Sequence, residues 1–298
     1  MSDLESLILD PQRVAELMRL HEAVNATARP ATFELPTAIQ QKFLQIHSFF
    51  ISKPQHELLR RLTVEGGARS DWLTSFLNAV LMDVQEGLAC CYYHLHNLEE
   101  IESQVIATAL SEFATIEFKP GSGVGGGNTR KLNFEYQAFN FAIRRTLEYL
   151  AKSINLFFKR EGTSFKRLAH TIRGADAVVL SDSVIERTEK LREELKEFFS
   201  EGQYQSVRDT LAHIKTIPAG HLFARPFQNA IEVKFSVFDQ SPDDADFATE
   251  RVITTTDSTV FGFLRITPSM MSKLTKVENA IFELYELIGI YSTAEAAE

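Results

Sequence analysis

Apolar residues recur along most of this chain at three- and four-residue steps, the spacing that gathers them on one face of an α-helix. Residues 4 to about 26 follow it, interrupted at Asp10-Pro11. Leu35-Pro36 opens a second helix through Phe43, Leu44, Ile46, Phe49 and Phe50. It must end before Pro54, because a proline ring crowds the residue ahead of it. A short segment over 56–62 closes at Gly66-Gly67. The long apolar pattern over 71–113 predicts two helices that break near Gly87 or Asn97, and 115–118 reads as a β fragment. The clearest stripe spans 132–158, with Phe139, Ile143, Leu147, Leu150, Ile154 and Phe158 inward. Arg144, Glu148 and Lys152 lie four apart on another face, where opposite charges meet, and Gly162 ends the helix. Ser183-x-x-Glu186 has the form of a capping box and predicts a helix to Phe199, with Val184, Thr188, Leu191, Leu195 and Phe198 inward. A shorter helix through Tyr204, Val207, Leu211 and Ile214 stops at Pro218.

The period then changes from 3.6 to 2. Ile231, Val233, Phe235 and Val237 alternate with Glu232, Lys234 and Ser236, as in a half-buried strand. An acidic loop, 239–250, leads to two further strand-like runs beginning at Arg251 and Val260, so two or three antiparallel strands are expected. Thr267-Pro268 supplies an N-cap and an N1 proline for a last helix through Met271, Leu274, Val277, Ile281, Leu284 and Ile288. The expected fold is mainly α: a helical bundle with a small antiparallel hairpin or sheet near the C-terminus and an N-terminal helical region. The glycine-rich run 119–131 is the natural boundary. It divides a helical region, 1–118, from a helical domain, 132–298, with a β insertion at about 230–266.

Composition narrows the class. The 298 residues are 44% hydrophobic and 24% charged, which suits a globular chain and excludes collagen, disorder and a disulfide-stapled miniature. No apolar run is long enough for a bilayer, the start has no signal-peptide pattern, and Cys90 and Cys91 are adjacent, so a reducing, cytoplasmic setting is expected. Net charge is -9, yet residues 128–173 hold ten Lys and Arg against three Glu, a local +7 that leaves -16 elsewhere. Clustered charge of this kind guides a polyanion to one face of an acidic protein.

Three constellations are candidates for chemistry. The run from Gly121 to Lys131 offers backbone N–H groups, but it lacks the Lys-Ser/Thr pair of a phosphate loop and a βαβ setting, so a flexible loop is favoured. Cys90 and His94 share a helical face, while Cys91 and His96 point elsewhere; buried helix residues are favoured over metal ligands. The third is Arg208-Asp209-Thr210-Leu211-Ala212-His213, an arginine, an acid directly after it, and a histidine five positions on. Histidine exchanges protons near neutral pH, and the arginine fork matches phosphate oxygens.

This third motif, at the start of a short helix that follows a long helical hairpin, resembles the Arg-x4-6-His signature of the HEPN superfamily. The resemblance covers about 132–215. It implies a metal-independent endoribonuclease, of the kind found among toxins and antiviral defence effectors, in which the ribose 2′-hydroxyl attacks the phosphodiester. His213 would transfer protons, Arg208 would hold the scissile phosphate and Asp209 would orient its neighbours. No cofactor or metal is implied. The partners implied are RNA, a second copy in a homodimer, and an antitoxin or regulatory partner. On a regular helix Arg208 and His213 diverge by about 140°, which a second subunit relieves. Arg144, Lys166, Arg167 and His170, in the basic stretch, are candidates for RNA binding, with Glu148 and His221 as supporting residues. The alternative is a non-catalytic module of the same type that binds RNA, nucleotide or protein.

Overall fold

The computed structural model describes residues 35–53, 62, 72–117, 119, 123–126, 130–173, 178–195, 221–227, 230–236, 250–256 and 259–292. Two compact units are present. One comprises Met1–Ala89, Arg145–Leu191 and Glu278–Glu298, the other Cys90–Arg144 and Arg192–Val277. Each draws on both sides of the glycine-rich run 119–131.

In the first unit, α1 (Thr37–Ser52) begins where expected. The N–H groups of Ile39 and Gln40 reach the Pro36 carbonyl at 2.8 and 3.0 Å, and the Gln40 amide donates to the Leu35 carbonyl at 2.6 Å. Ile39, Phe43 and Ile46 form its buried stripe. Phe43 meets the edge of Phe282 at 5.4 Å, and the Lys42 ammonium lies 4.5 Å over the same ring.

The predicted break in 71–113 does not occur. α2 (Trp72–Asn78) passes through a π-helical turn, Ala79–Asp83, into α3 (Val84–Phe113) without leaving helix. Gly87 is there for packing: a Cβ on it would lie 2.6 Å from Thr146 Oγ1. Glycine therefore admits the neighbouring helix, α4 (Arg130–Phe157), at close range. The six stripe positions named for 132–158 are all buried. α4 stops before Gly162. Lys159 turns through a left-handed conformation (φ 53°), and the Asn155 amide then donates to the Gly162 carbonyl at 2.9 Å. A 3₁₀ turn, Phe165–Arg167, runs into α5 (Leu168–Ile172). α6 (Val178–Glu194) starts five residues ahead of Ser183, which lies inside the helix, so the capping-box reading of Ser183 and Glu186 is corrected. Val184, Thr188, Leu191 and Leu195 are buried as expected.

The second unit carries a five-stranded sheet in the order β1-β2-β3-β5-β4. Its strands are β1 (Val124–Gly126), β2 (His221–Phe227), β3 (Ala230–Ser236), β4 (Glu250–Thr256) and β5 (Thr259–Arg265). The sheet is larger than the two or three antiparallel strands expected, and it is mixed. β2–β3 and β4–β5 are hairpins, but the hairpins join through a parallel β3–β5 pair, Ile231 opposite Phe261 and Val233 opposite Phe263. Period-2 alternation identifies strands without naming their neighbours. Residues 114–117 are turn and coil, so the β fragment expected at 115–118 is displaced into the glycine-rich run, where Val124, Gly125 and Gly126 pair with Ala224, Phe223 and Leu222. Ala224, Ile231, Val233, Phe261 and Phe263 are buried and occupy one set of alternating positions. On the other set Glu232 is 4% exposed and meets Arg225 at 3.1 Å.

The last helix, α7 (Thr267–Leu287), starts where Thr267-Pro268 predicts. α3, α4 and α7 each contribute residues to both units. The fold is mainly α with a small sheet.

Candidate functional site

Residues 201–220 fall outside the described residues, and with them Arg208, Asp209 and His213. The basic stretch is described. The segment from Phe165 to Ile172 is amphipathic: Phe165, Leu168, Ala169 and Ile172 are buried, whereas Lys166, Arg167 and His170 are exposed. The apolar positions anchor the segment, and this leaves the three polar side chains facing water. Among the described residues none of the three meets a carboxylate. Arg173 lies 3.9 Å from Glu189, with both side chains mostly exposed, a distance that contributes little. Arg144 is half-buried on α4, at the end of the Cys90–Arg144 stretch of the second unit, whereas Lys166, Arg167 and His170 belong to the first. His221 opens β2 opposite Ser236.

Three polar clusters that sequence reasoning missed lie inside the units. In the first, the Lys152 ammonium donates to Asp83 at the end of the π turn, 2.7 Å away. Beneath it the Ser153 hydroxyl donates to the Leu150 carbonyl, so the Tyr285 hydroxyl, 3.2 Å away and buried, is the donor to Ser153. Burial pushes the Tyr285 phenol well above the usual tyrosine range; Ser153 opposes this, and Asp83 adds to it. π turns inside α-helices are frequent at functional sites. No periodicity rule marks this one, because the extra residue leaves the apolar pattern almost unbroken.

In the second, the His94 ring nitrogen Nδ1 lies 2.7 Å from Glu135 Oε2, joining α3 to α4. A carboxylate only accepts, so Nδ1 carries the hydrogen. His94 is thus a hydrogen-bond partner of Glu135. Cys91 is buried and Cys90 half-buried, both as free thiols. No group of three or more His, Cys, Asp or Glu able to hold a metal ion occurs among the described residues.

The third is centred on Glu102 of α3, fully buried. Its carboxylate accepts the Ile266 N–H at 2.6 Å, the Thr267 N–H at 3.4 Å, the Thr267 hydroxyl, and the Arg265 Nε at 3.1 Å. The N-terminus of α7 is therefore capped from another helix. Thr267, expected as the N-cap, spends its hydroxyl on Glu102. Burial raises the Glu102 pKa above its ordinary value; Thr267, Ile266 and Arg265 pull the other way and offset only part of it. Nothing local could have revealed a cap 165 residues distant in sequence. On α4 of the same unit, Asn133, Gln137 and Asn140 place three buried amides on one face. Asn140 donates to the Tyr136 carbonyl, and the Gln137 amide nitrogen has no acceptor among the described residues.

No helix among the described residues is long and apolar enough to cross a membrane. Comparison with protein-family models, with curated proteins and with solved structures finds no match.

Proposed function

We propose that the chain is a metal-independent endoribonuclease of HEPN type, acting on RNA in the cytoplasm. The observation that carries the reading is the anchored turn at 165–172, which holds Lys166, Arg167 and His170 in water, with no carboxylate partner among the described residues, in a chain of net charge -9. Phosphate contacts of this kind position an RNA backbone irrespective of sequence. The chemistry rests on the sequence motif. His213 takes and returns protons, Arg208 stabilises charge on the phosphate and Asp209 orients them, so that 2′-hydroxyl attack leaves a 2′,3′-cyclic phosphate and a free 5′-hydroxyl. An enzyme of this class acts as a toxin or defence effector under the restraint of an antitoxin or regulatory partner.

The test is cleavage of labelled single-stranded RNA in the presence of a chelator. The intact protein is expected to give cyclic-phosphate ends, and Arg208→Ala and His213→Ala are each expected to abolish them. Undiminished cleavage by both variants overturns the assignment. The overall acidity favours one second reading, a non-catalytic module that binds RNA, nucleotide or protein. RNA retained but left intact by the wild-type protein is its signature.

A further inference from the structure

β1 (Val124–Gly126) lies at one edge of the sheet, antiparallel to β2, and is held by three residue pairs: Val124 with Ala224, Gly125 with Phe223 and Gly126 with Leu222. On its other side β2 pairs with β3 along all seven of its residues. The cover that β1 supplies is therefore partial. It is also weakly built, because two of its three residues are glycine. Strand pairing does not demand this. Among the described residues the glycines with positive φ are Gly162 and Gly289, and the extended backbone of β1 is one that any residue adopts. Gly123, just ahead, has a reason of space: a Cβ there would lie 3.3 Å from the Ala224 carbonyl oxygen. At Gly125 and Gly126 glycine takes away what holds an edge strand in place. It loses more conformational freedom on pairing than any other residue, and it brings no side chain to a cross-strand pair.

We propose that β1 is a strap that opens: it leaves the β2 edge and returns to it while the other four strands stay paired. The remaining ladders are longer, with seven pairs between β2 and β3, seven between β4 and β5 and four between β3 and β5. Local opening of this kind draws on the least stable part of a structure and leaves the rest intact. Each opening uncovers the main-chain groups of Leu222, Phe223 and Ala224 that face β1, so the β2 edge is available for pairing intermittently. The strap does not depend on the ribonuclease reading.

Residue-resolved hydrogen exchange of the full-length protein by NMR tests this. Amides bonded between β1 and β2 are expected to exchange about 100-fold faster than those bonded between β3 and β5. Low urea should leave the faster rate unchanged, because opening three residues exposes little surface. Replacing both Gly125 and Gly126 by valine, a strand-favouring residue, should slow the β1–β2 amides by about tenfold. Wild-type exchange across β1–β2 as slow as across β3–β5, or rising with urea in step with it, overturns the proposal. So does a valine pair that leaves the rate where it was. If the valine variant fails to fold, the wild-type rates and their urea dependence decide.

Discussion

Burying the Glu102 carboxylate removes it from water, and the donors gathered at the β5–α7 junction compensate in part. The balance is pH-dependent. Because burial raises the pKa, the folded protein holds this proton more tightly than the unfolded chain does. Its contribution to stability is greatest where both states are protonated. It declines as pH rises from the ordinary value of 4.5 through the raised folded one, and is constant above that. Glu102→Gln is expected to abolish this decline, so its stability relative to wild type should improve as pH rises through that window. Urea midpoints at several pH values check it; parallel curves for the two proteins would refute it. Glu102→Leu removes the acceptor altogether and should cost about 3–5 kcal/mol at neutral pH. At Tyr285, replacement by Phe deletes only the bond to Ser153, a loss of about 1 kcal/mol by the same measurement.

Helix α3 tests the packing of elements. Alanine for glycine inside a helix ordinarily stabilises by about 1 kcal/mol. At position 87 the added Cβ falls 2.6 Å from Thr146 Oγ1 and 3.1 Å from Thr146 Cα, so Gly87→Ala should destabilise instead, a reversal of sign visible in thermal melts. The basic turn has its own test. Lys166→Glu with Arg167→Glu should weaken RNA binding at low salt and flatten the plot of log affinity against log salt. The slope should fall by about 0.7 for each single-strand phosphate that is no longer neutralised. Affinity and slope equal to wild type would remove the turn from the RNA path. Elements whose cause is local were legible in the sequence: the start of α1 at Pro36, the stripe of α4, β3 and β5 from their alternation, and the start of α7 at Thr267-Pro268. Those with distant causes were not. Gly87 looks like a helix breaker until Thr146 is placed beside it, and Gly125 becomes strand only because Phe223 lies opposite. Ser183 and Glu186 have the right spacing for a cap but sit inside a helix already formed. Of the candidate site, Lys166, Arg167 and His170 are exposed, whereas Glu102, Tyr285 and the His94–Glu135 pair follow from no local pattern in the sequence.

Across the whole chain, the compact units are built from interleaved stretches. A fragment comprising 132–298 would keep Arg265 and Thr267 but lose Glu102, and would keep Phe282 but lose Phe43. Such a fragment is expected to lack a cooperative thermal transition by calorimetry, whereas the full chain should show one. A sharp transition in the fragment would establish it as an autonomous domain. The interleaving reaches into heredity as well. No single recombination crossover can carry one unit away from the other, since Arg145–Leu191 and Glu278–Glu298 are transcribed on either side of codons that build its neighbour.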